Sequence, residues 1–387
     1  MNILMLTHRI PYPPNKGDKL RAYNIMRYLA SQHDVCLLSL YDELSDCKYV
    51  RELNNICKEV HLFYLNPFLA KGQALGSFFM RGPFTVGYFF HPALKRKVYS
   101  ILREGKTDRI FAYSSPMAQY VMNAQITKIM DFVDCDSAKW RQYTVYSGFP
   151  MSVVYGLENK LLRNYEREIA SKFDRLIVVT EKEKDEFARI TDVDKFQVIE
   201  NGVDTGFFTP GPFSEEKRIV FTGAMDYYAN IDAVFYFCEE IFPIVRRSHP
   251  DAQLYIVGHN PVRAVRSLGK RAGVTVTGTV KDVRDYLRGA IAAIAPMRIA
   301  QGIQNKILEA MACGIPVVAT SKAAGAVKAL PGRDILVSDN PADFARQLSD
   351  LIRDKSLRDF IGRSARRFVE EEYSWEKNLS KLDLVIE

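Results

Sequence analysis

Short apolar runs alternate with stretches in which apolar residues recur every three or four positions, and the alternation continues through almost the whole chain. The runs predict strands and the periodic stretches predict helices packed on them. The first half reads as strand Asn2–Thr7, a helix from about Asp18 to Ser31, strand Val35–Leu40, helix Glu43–Lys58 and strand Val60–Leu65. Strands Arg109–Tyr113 and Lys128–Val133, helix Val154–Lys172, strand Asp174–Thr180 and helix Glu181–Arg189 follow. The second half repeats the rhythm: strand Arg218–Thr222, helix Ile231–Arg247, strand Gln253–Val257, helix Pro261–Ala272, strand Val274–Thr277, helix Val283–Arg288 and strand Ala290–Ala295. Helices Asn340–Arg353 and Ser356–Glu371 come next, and Tyr373-Ser-Trp-Glu376 opens a last one. Such alternation predicts an α/β protein of parallel sheets wrapped by helices, with ligands beyond the carboxyl ends of the strands.

The 387 residues suggest two domains at roughly 100–200 residues each. The turn-rich Val198–Pro210, with Gly202 for a tight turn and Pro210 as a stop, marks the boundary. Hydrophobic content of 47% and charged content of 26% suit a globular enzyme with two cores. The net charge of +7 favours an anionic partner without naming it. Six cysteines form no Cys-x-x-Cys pattern, which predicts a reduced compartment and no structural zinc. No apolar run has the length of a membrane span, and the first residues read as a strand rather than a signal peptide. A cytoplasmic chain without tandem repeats is the expectation.

The densest chemistry lies in Gly302–Thr320. On a helical wheel Ile303, Ile307, Leu308 and Met311 share one arc, and Gly302, Asn305, Lys306 and Glu309 the opposite one. Gly314 ends this helix, and Pro316-Val-Val-Ala-Thr320 reads as a buried strand. Free N–H groups at the helix start, with Lys306 in the first turn, favour an anion, and Glu309 can accept two hydrogen bonds from a vicinal diol. The same polar arc also suits an ordinary solvated surface helix. Gly223, Gly258 and Gly278 close three second-half strands, where they let a ligand lie against backbone or simply serve the turns. In the first half, Lys16-Gly17 precedes a helix and suits a phosphate or a plain strand–helix turn.

Asp131, Asp134 and Asp136 cluster near a strand's carboxyl end. Helix capping suits Asp136, and a role in orienting an acceptor hydroxyl suits Asp131 or Asp134; Asp134-Cys-Asp136 is too common a triplet to define a metal site. Pro67–Lys106 interleaves Phe68, Phe78, Phe79, Phe84, Tyr88, Phe89 and Phe90 with seven basic residues and a single acid, Glu104. That composition fits a surface resting on anionic lipid, and it fits equally a set of packed phenylalanines with a basic rim. No nucleic-acid-binding motif accompanies it.

The run Asn305-Lys306-x-x-Glu309-Ala-Met-Ala-x-Gly314-x-Pro316-Val-Val resembles the nucleotide-binding signature of retaining glycosyltransferases of family 4, the glycosyl transferases group 1. The resemblance implies the GT-B fold, two Rossmann-like parallel-sheet domains facing each other across a cleft. Residues 1–200 would form the acceptor-side domain and 201–372 the nucleotide-sugar-binding domain. A C-terminal helix at about 373–387 would pack back on the first. Val198–Pro210 resembles the family's inter-domain segment, and the FTGAMDYYANIDA and APMRIAQGIQNKILEAMA segments resemble sugar transferases of exopolysaccharide or exosortase gene clusters.

In that family an acidic pair reads the donor. Glu309 matches the second acid, on the ribose, whereas Gln301 stands where the first, on the sugar, is expected. The family also carries an Arg and a Lys after the first strand of the second domain. Here the segment Gly223–Asp232 has neither, so Lys306 together with Arg298 is expected to supply the charge. The expected donor set is therefore Gly17, Gly223, Gly258, Arg298, Gln301, Gly302, Ile303, Gln304, Asn305, Lys306 and Glu309, with Lys306, Asp131 and Asp134 serving the chemistry. The resemblance implies no cofactor and no tightly held metal. The implied partners are a nucleotide-diphosphate sugar and a glycan or lipid-linked acceptor, with an anionic membrane surface as a further candidate and no nucleic acid. A nucleotide-sugar 2-epimerase of the same fold would need acids and a histidine to move a proton, of which no clear set is visible. A non-catalytic scaffold is the third reading, favoured by Gln301 and the missing Arg/Lys pair.

Overall fold

The computed structural model describes residues 1–14, 17–212, 216–300 and 302–387. They form two compact units, Met1–Glu200 with Leu379–Glu387, and Asn201–Asn378. In the first unit seven strands, β1 (Asn2–Thr7), β2 (Asp34–Tyr41), β3 (Glu59–Tyr64), β4 (Arg109–Tyr113), β5 (Lys128–Asp131), β6 (Arg175–Val178) and β7 (Phe196–Val198), make one sheet in the order β3-β2-β1-β4-β5-β6-β7. Every pairing is parallel. Around it lie helices α1 (Gly17–Gln32), α2 (Pro67–Phe79), α3 (Phe84–Tyr88), α4 (Pro92–Arg103), α5 (Asp136–Tyr146), α6 (Met151–Lys172) and α7 (Glu181–Ala188). Leu4, Leu6, Leu38, Ile110 and Met130 carry the core from strand to strand, all essentially sealed from solvent. The chain's last residues belong to this unit: the Tyr28 hydroxyl donates to Asp383 and Arg109 Nε donates to the Ile386 carbonyl, at 2.8 Å each.

The second unit has six strands, β8 (Arg218–Thr222), β9 (Gln253–Val257), β10 (Val274–Gly278), β11 (Ala292–Ala295), β12 (Val317–Ala319) and β13 (Leu336–Val337), in the order β10-β9-β8-β11-β12-β13, again all parallel. Its helices include α8 (Tyr228–Tyr236), α9 (Asn305–Ala312), α10 (Pro341–Arg353) and α11 (Lys355–Glu372). Both sheets are built of parallel strands joined by helical crossovers, with the buried strands reading as continuous apolar runs.

Local chemistry sets the helix boundaries. Thr180 and Glu183 form a reciprocal capping box at the start of α7. Asn66 and Asn340 accept from backbone N–H groups at the starts of α2 and α10, each followed by a proline that has no N–H to leave unpaired. Three expected helices differ. Glu43–Lys58 is a 3-10 stretch, Leu44–Tyr49, and one short helix, Val50–Asn54, because Asn54 and Asn55 are weak helix formers. Pro261–Ala272 is helical only over Arg263–Leu268, stopped by Gly269. Ile231–Arg247 is continued past α8 by a wider π turn, Phe237–Ile241, just before Pro243, whose ring cannot join the regular ladder.

A fully enclosed ion pair lies in the first unit's interior. Arg21 of α1 and Asp131 at the end of β5 are both fully enclosed, with Nε and Nη2 of Arg21 at 2.9 and 2.8 Å from Asp131 Oδ2. Arg21 Nη1 also donates to the Ile199 carbonyl, and Asp131 Oδ1 accepts from Val133 N–H, so the pair ties α1, β5 and the segment after β7 together. Burial raises the Asp131 pKa despite the guanidinium beside it. Asp131→Ala strands Arg21 in the core and should cost about 3–5 kcal/mol in urea denaturation, with a loss below about 1 kcal/mol contradicting a structural pair.

Candidate active site

In a doubly wound sheet the strand order reverses at one point, and the loops leaving the two flanking strands part there to open a crevice. In the second unit that point lies between β8 and β11. Gly223 follows β8, and its neighbour β9 is followed by Gly258; the two stand at φ +156° and +155°. Neither tolerates a side chain. A Cβ on Gly258 would lie 1.6 Å from the Gly223 carbonyl oxygen, and one on Gly223 would lie 2.7 Å from Asn230 Nδ2 and 3.3 Å from Lys306 Nζ.

Lys306 reaches this crevice from α9. The helix begins at Asn305, with Gln304 as an extended N-cap and Gly302 turning the chain at φ +61°, so its start is later than the wheel suggested. Lys306 nevertheless stands in the first turn, whose N–H groups have no partners within the helix. Its Nζ donates to Asn230 Oδ1 at 2.6 Å, lies 3.8 Å from Met297 Sδ, and sits 4.1 Å from the centre of the Phe221 ring. Asn230 donates its Nδ2 to the Ala224 carbonyl at 2.8 Å, which fixes the amide with its oxygen toward the lysine.

Among the described residues no carboxylate is within ion-pair distance of Lys306. Burial pushes its pKa down from 10.5 to about 7, with Glu309 pulling weakly the other way. Burial likewise pushes the Glu309 carboxyl up to about 7, with Lys306 opposing. Among the described residues the Glu309 carboxylate accepts no hydrogen bond, and Asn305 Oδ1 is buried without a donor. An ammonium, a carboxylate and an amide oxygen therefore line one helix start with capacity to spare. That set suits an anion beside a hydroxyl-bearing group.

Other expected residues fall elsewhere. Arg298 does not join Lys306: its guanidinium is held by Asp232, with Nε at 3.0 Å, and lies 4.8 Å from the Tyr236 ring centre. Its guanidinium is thereby paired with a carboxylate in this structure rather than placed beside Lys306. Ile303 is buried, so it offers backbone rather than side chain. Gly17 is the exposed first residue of α1 in the other unit. Gln301, and Lys16 before Gly17, lie outside the described residues. Asn230 and Phe221 were missed; Asn230 stands in the very segment read as lacking a cation, and only the fold brings it to Lys306.

In the first unit the three acids do not converge. Asp131 is sealed against Arg21, which removes it from the expected acceptor-orienting role. Asp136 is the first helical residue of α5 rather than its cap, and accepts from the Ser115 hydroxyl at 2.6 Å. The α5 start is served instead by Glu166, whose carboxyl accepts from Ser137 N–H at 3.0 Å and is pushed up to about 8 by burial. Asp134 is half-buried after Val133, a β-branched residue at φ +66°. It pairs with Glu183, whose carboxyl is pushed up to about 8 by burial and by the Asp134 charge. Nearby, at this unit's own strand-order reversal between β1 and β4, the His8 ring stacks on Tyr113 and its Nε2 lies 3.6 Å from Asp18. Burial works against the Asp18 carboxylate, but His8 and Arg9 outweigh it and hold the group well below the usual range.

Two all-parallel, helix-flanked sheets of seven and six strands are the architecture of the GT-B fold. Residues 216–354, which include the Lys306 crevice, match the family described as glycosyl transferases group 1. Over its full length the chain is similar to an uncharacterized 44.6 kDa protein in the cps region of Klebsiella pneumoniae, 22% identical over 409 residues and covering 98% of each chain. It is also similar to a GDP-mannose-dependent monoacylated alpha-(1-6)-phosphatidylinositol monomannoside mannosyltransferase of Corynebacterium glutamicum, 27% identical over 209 residues, 47% of this chain and 53% of that one. Among solved structures, Anabaena HepE in complex with UDP-glucose superposes with a TM-score of 0.72 at 15% identity, covering 100% of this chain and 99% of that one.

The low Lys306 pKa makes anion binding at this site pH-dependent. A bound anion favours the ammonium, so the complex holds a proton that the free site has largely released above pH 7. Calorimetric titration with inorganic pyrophosphate should show proton uptake and weakening affinity as pH rises above about 7, an effect absent from Lys306→Met. Affinity independent of pH between about 6 and 9 would contradict the assignment.

Proposed function

We propose that this chain is a retaining glycosyltransferase that moves a sugar from a nucleotide-diphosphate donor to a hydroxyl acceptor. The observation that carries the reading is Lys306, an enclosed ammonium at a helix start with no carboxylate in ion-pair distance among the described residues, within the segment that matches glycosyl transferases group 1. The UDP-glucose of the Anabaena complex and the GDP-mannose in the name of the Corynebacterium relative support the donor class. On this reading the diphosphate lies against Lys306 and the first turn of α9, and Gly223 and Gly258 leave room for it. The ribose hydroxyls donate to Glu309.

The reaction breaks the bond from the anomeric carbon to the diphosphate oxygen and forms one to the acceptor oxygen on the same face. The acceptor's proton passes to the departing diphosphate, whose growing charge Lys306 stabilises. Asp134, held by Glu183, is assigned to orienting the acceptor hydroxyl. The acceptor is inferred to be a lipid-linked or polysaccharide-precursor glycan, used on the cytoplasmic side where nucleotide sugars are made.

The two donor-side residues should fail differently. A thermal-shift screen of UDP-, GDP- and ADP-linked sugars first identifies the donor, and steady-state transfer is then measured with it. Lys306→Ala should lower kcat more than about tenfold, because its charge matters most as the leaving group becomes negative. Glu309→Gln should chiefly raise donor KM, because a diol contact serves ground and transition states alike. Unchanged binding and transfer in both variants would refute the reading.

A further inference from the structure

Helix α2 is packed inside out. Its enclosed residues are Ala70 and Ala74, while Phe68, Phe79 and the following Met80 stand in solvent at 84%, 78% and 86% exposure, with Leu69 and Leu75 also exposed. Phe68, Leu75 and Phe79 fall on one helix face at i, i+7 and i+11, so these large apolar side chains form one outward stripe. The inner face has no room for them. There α3 closes on α2 so tightly that a Cβ on Gly87 would lie 2.4 Å from Ser77 Cβ.

A second apolar segment leads into α6, which bonds the start of α3. From the last turn of α5 to the middle of α6, Val145, Phe149, Met151, Val153 and Leu157 are exposed, Phe149 at 87%. Next to Leu157, Glu158 is buried and accepts from Phe84 N–H at 2.7 Å and from Thr85 N–H at 2.9 Å. Phe84 in turn stacks on Phe78, with centroids 4.2 Å apart. The start of α3 thus joins the end of α2 to α6, with Phe79 and Met80 on one side and Leu157 on the other.

The charge around these residues has one sign. Pro67–Arg103 contains no Asp or Glu, against Lys71, Arg81, Lys95, Arg96, Lys97 and Arg103. Helix α4 buries Leu94 and Val98 in the usual way and presents Lys95, Arg96, Tyr99 and Arg103 outward. Its lead-in and α3 rest on the same turn, since Tyr120 bonds Phe89 and His91, and Gln119 bonds Val86.

We propose that the outward stripe of α2, the exposed residues 145–157 and the basic face of α4 together form a docking surface for an anionic lipid bilayer. Phe68, Phe79, Met80 and Phe149 enter the headgroup–acyl boundary, and the lysines and arginines meet lipid phosphates. Charge decides between occupants. A second copy related by two-fold symmetry would set this cationic face against itself, whereas a leaflet of anionic headgroups complements it everywhere. Among the described residues no helix is long and apolar enough to cross a membrane, so the proposed contact is lateral. The surface goes beyond the glycosyltransferase reading and stands whether or not the chain transfers a sugar.

Co-sedimentation of the full chain with phosphatidylcholine vesicles containing about 30% phosphatidylglycerol tests it. The wild-type chain should partition to these vesicles, at least about tenfold less to pure phosphatidylcholine, and similarly less in about 0.5 M salt. Phe68→Ser with Phe79→Ser, and Lys95→Glu with Arg96→Glu, should each weaken partitioning about tenfold while leaving the circular dichroism and melting temperature unchanged. A wild-type chain that stays in the supernatant with anionic vesicles would overturn the proposal. So would a lipid-free dimer, seen by sedimentation velocity, that the phenylalanine substitutions dissolve without changing vesicle binding.

Discussion

A positive charge that is desolvated but not neutralised is the constraint on which the second unit's site depends. Lys306 is surrounded by an amide oxygen, a thioether and an aromatic face, each of which attracts an ammonium and none of which cancels it. Holding it there requires Asn230 to be turned by the Ala224 carbonyl and requires both Gly223 and Gly258 to lack side chains. On the proposed reading the site is arranged in advance for an anion. Among the described residues no ion pair holds the lysine, which on the proposed reading leaves it available to a ligand rather than committed to the protein.

The first unit shows the opposite use of charge. Arg21 and Asp131 are paired at 2.8–2.9 Å, and Arg21 Nη1 and Asp131 Oδ1 reach Ile199 and Val133. Such a pair specifies an arrangement of elements, and an acid so engaged has no oxygen left to orient a substrate. Asp134, three residues on, differs in facing another carboxyl, Glu183, whose pKa is raised by burial and by the Asp134 charge.

Much of the fold was legible because buried parallel strands are short apolar runs. β1, β4, β8 and β9 occupy the stretches that the run pattern marks. β7 and β13, with three and two residues, are too short to carry a period and emerge only as edges of completed sheets. Lys306 and Glu309 were visible as one face of one helix, since that relation is local. Asn230 was not, because it reaches Lys306 across 76 positions, and the Arg21–Asp131 pair spans 110. The aromatic–basic segment announced its composition but not its direction. Phe78 and Phe90 are half-buried, whereas Phe68 and Phe79 face out, an arrangement set by how closely α3 approaches α2.

The most direct test reads the charge of Lys306 itself. Selective 15N labelling of lysine side chains, with Lys306→Arg to assign the resonance, gives the Nζ titration curve in the free protein and with UDP bound. The account predicts a midpoint near 7 in the free protein and a rise of at least about two pH units in the complex, as a diphosphate replaces lost solvation. A midpoint near the ordinary value of about 10.4 in both states would contradict it, for the ammonium would then be neither desolvated nor held in readiness for an anion.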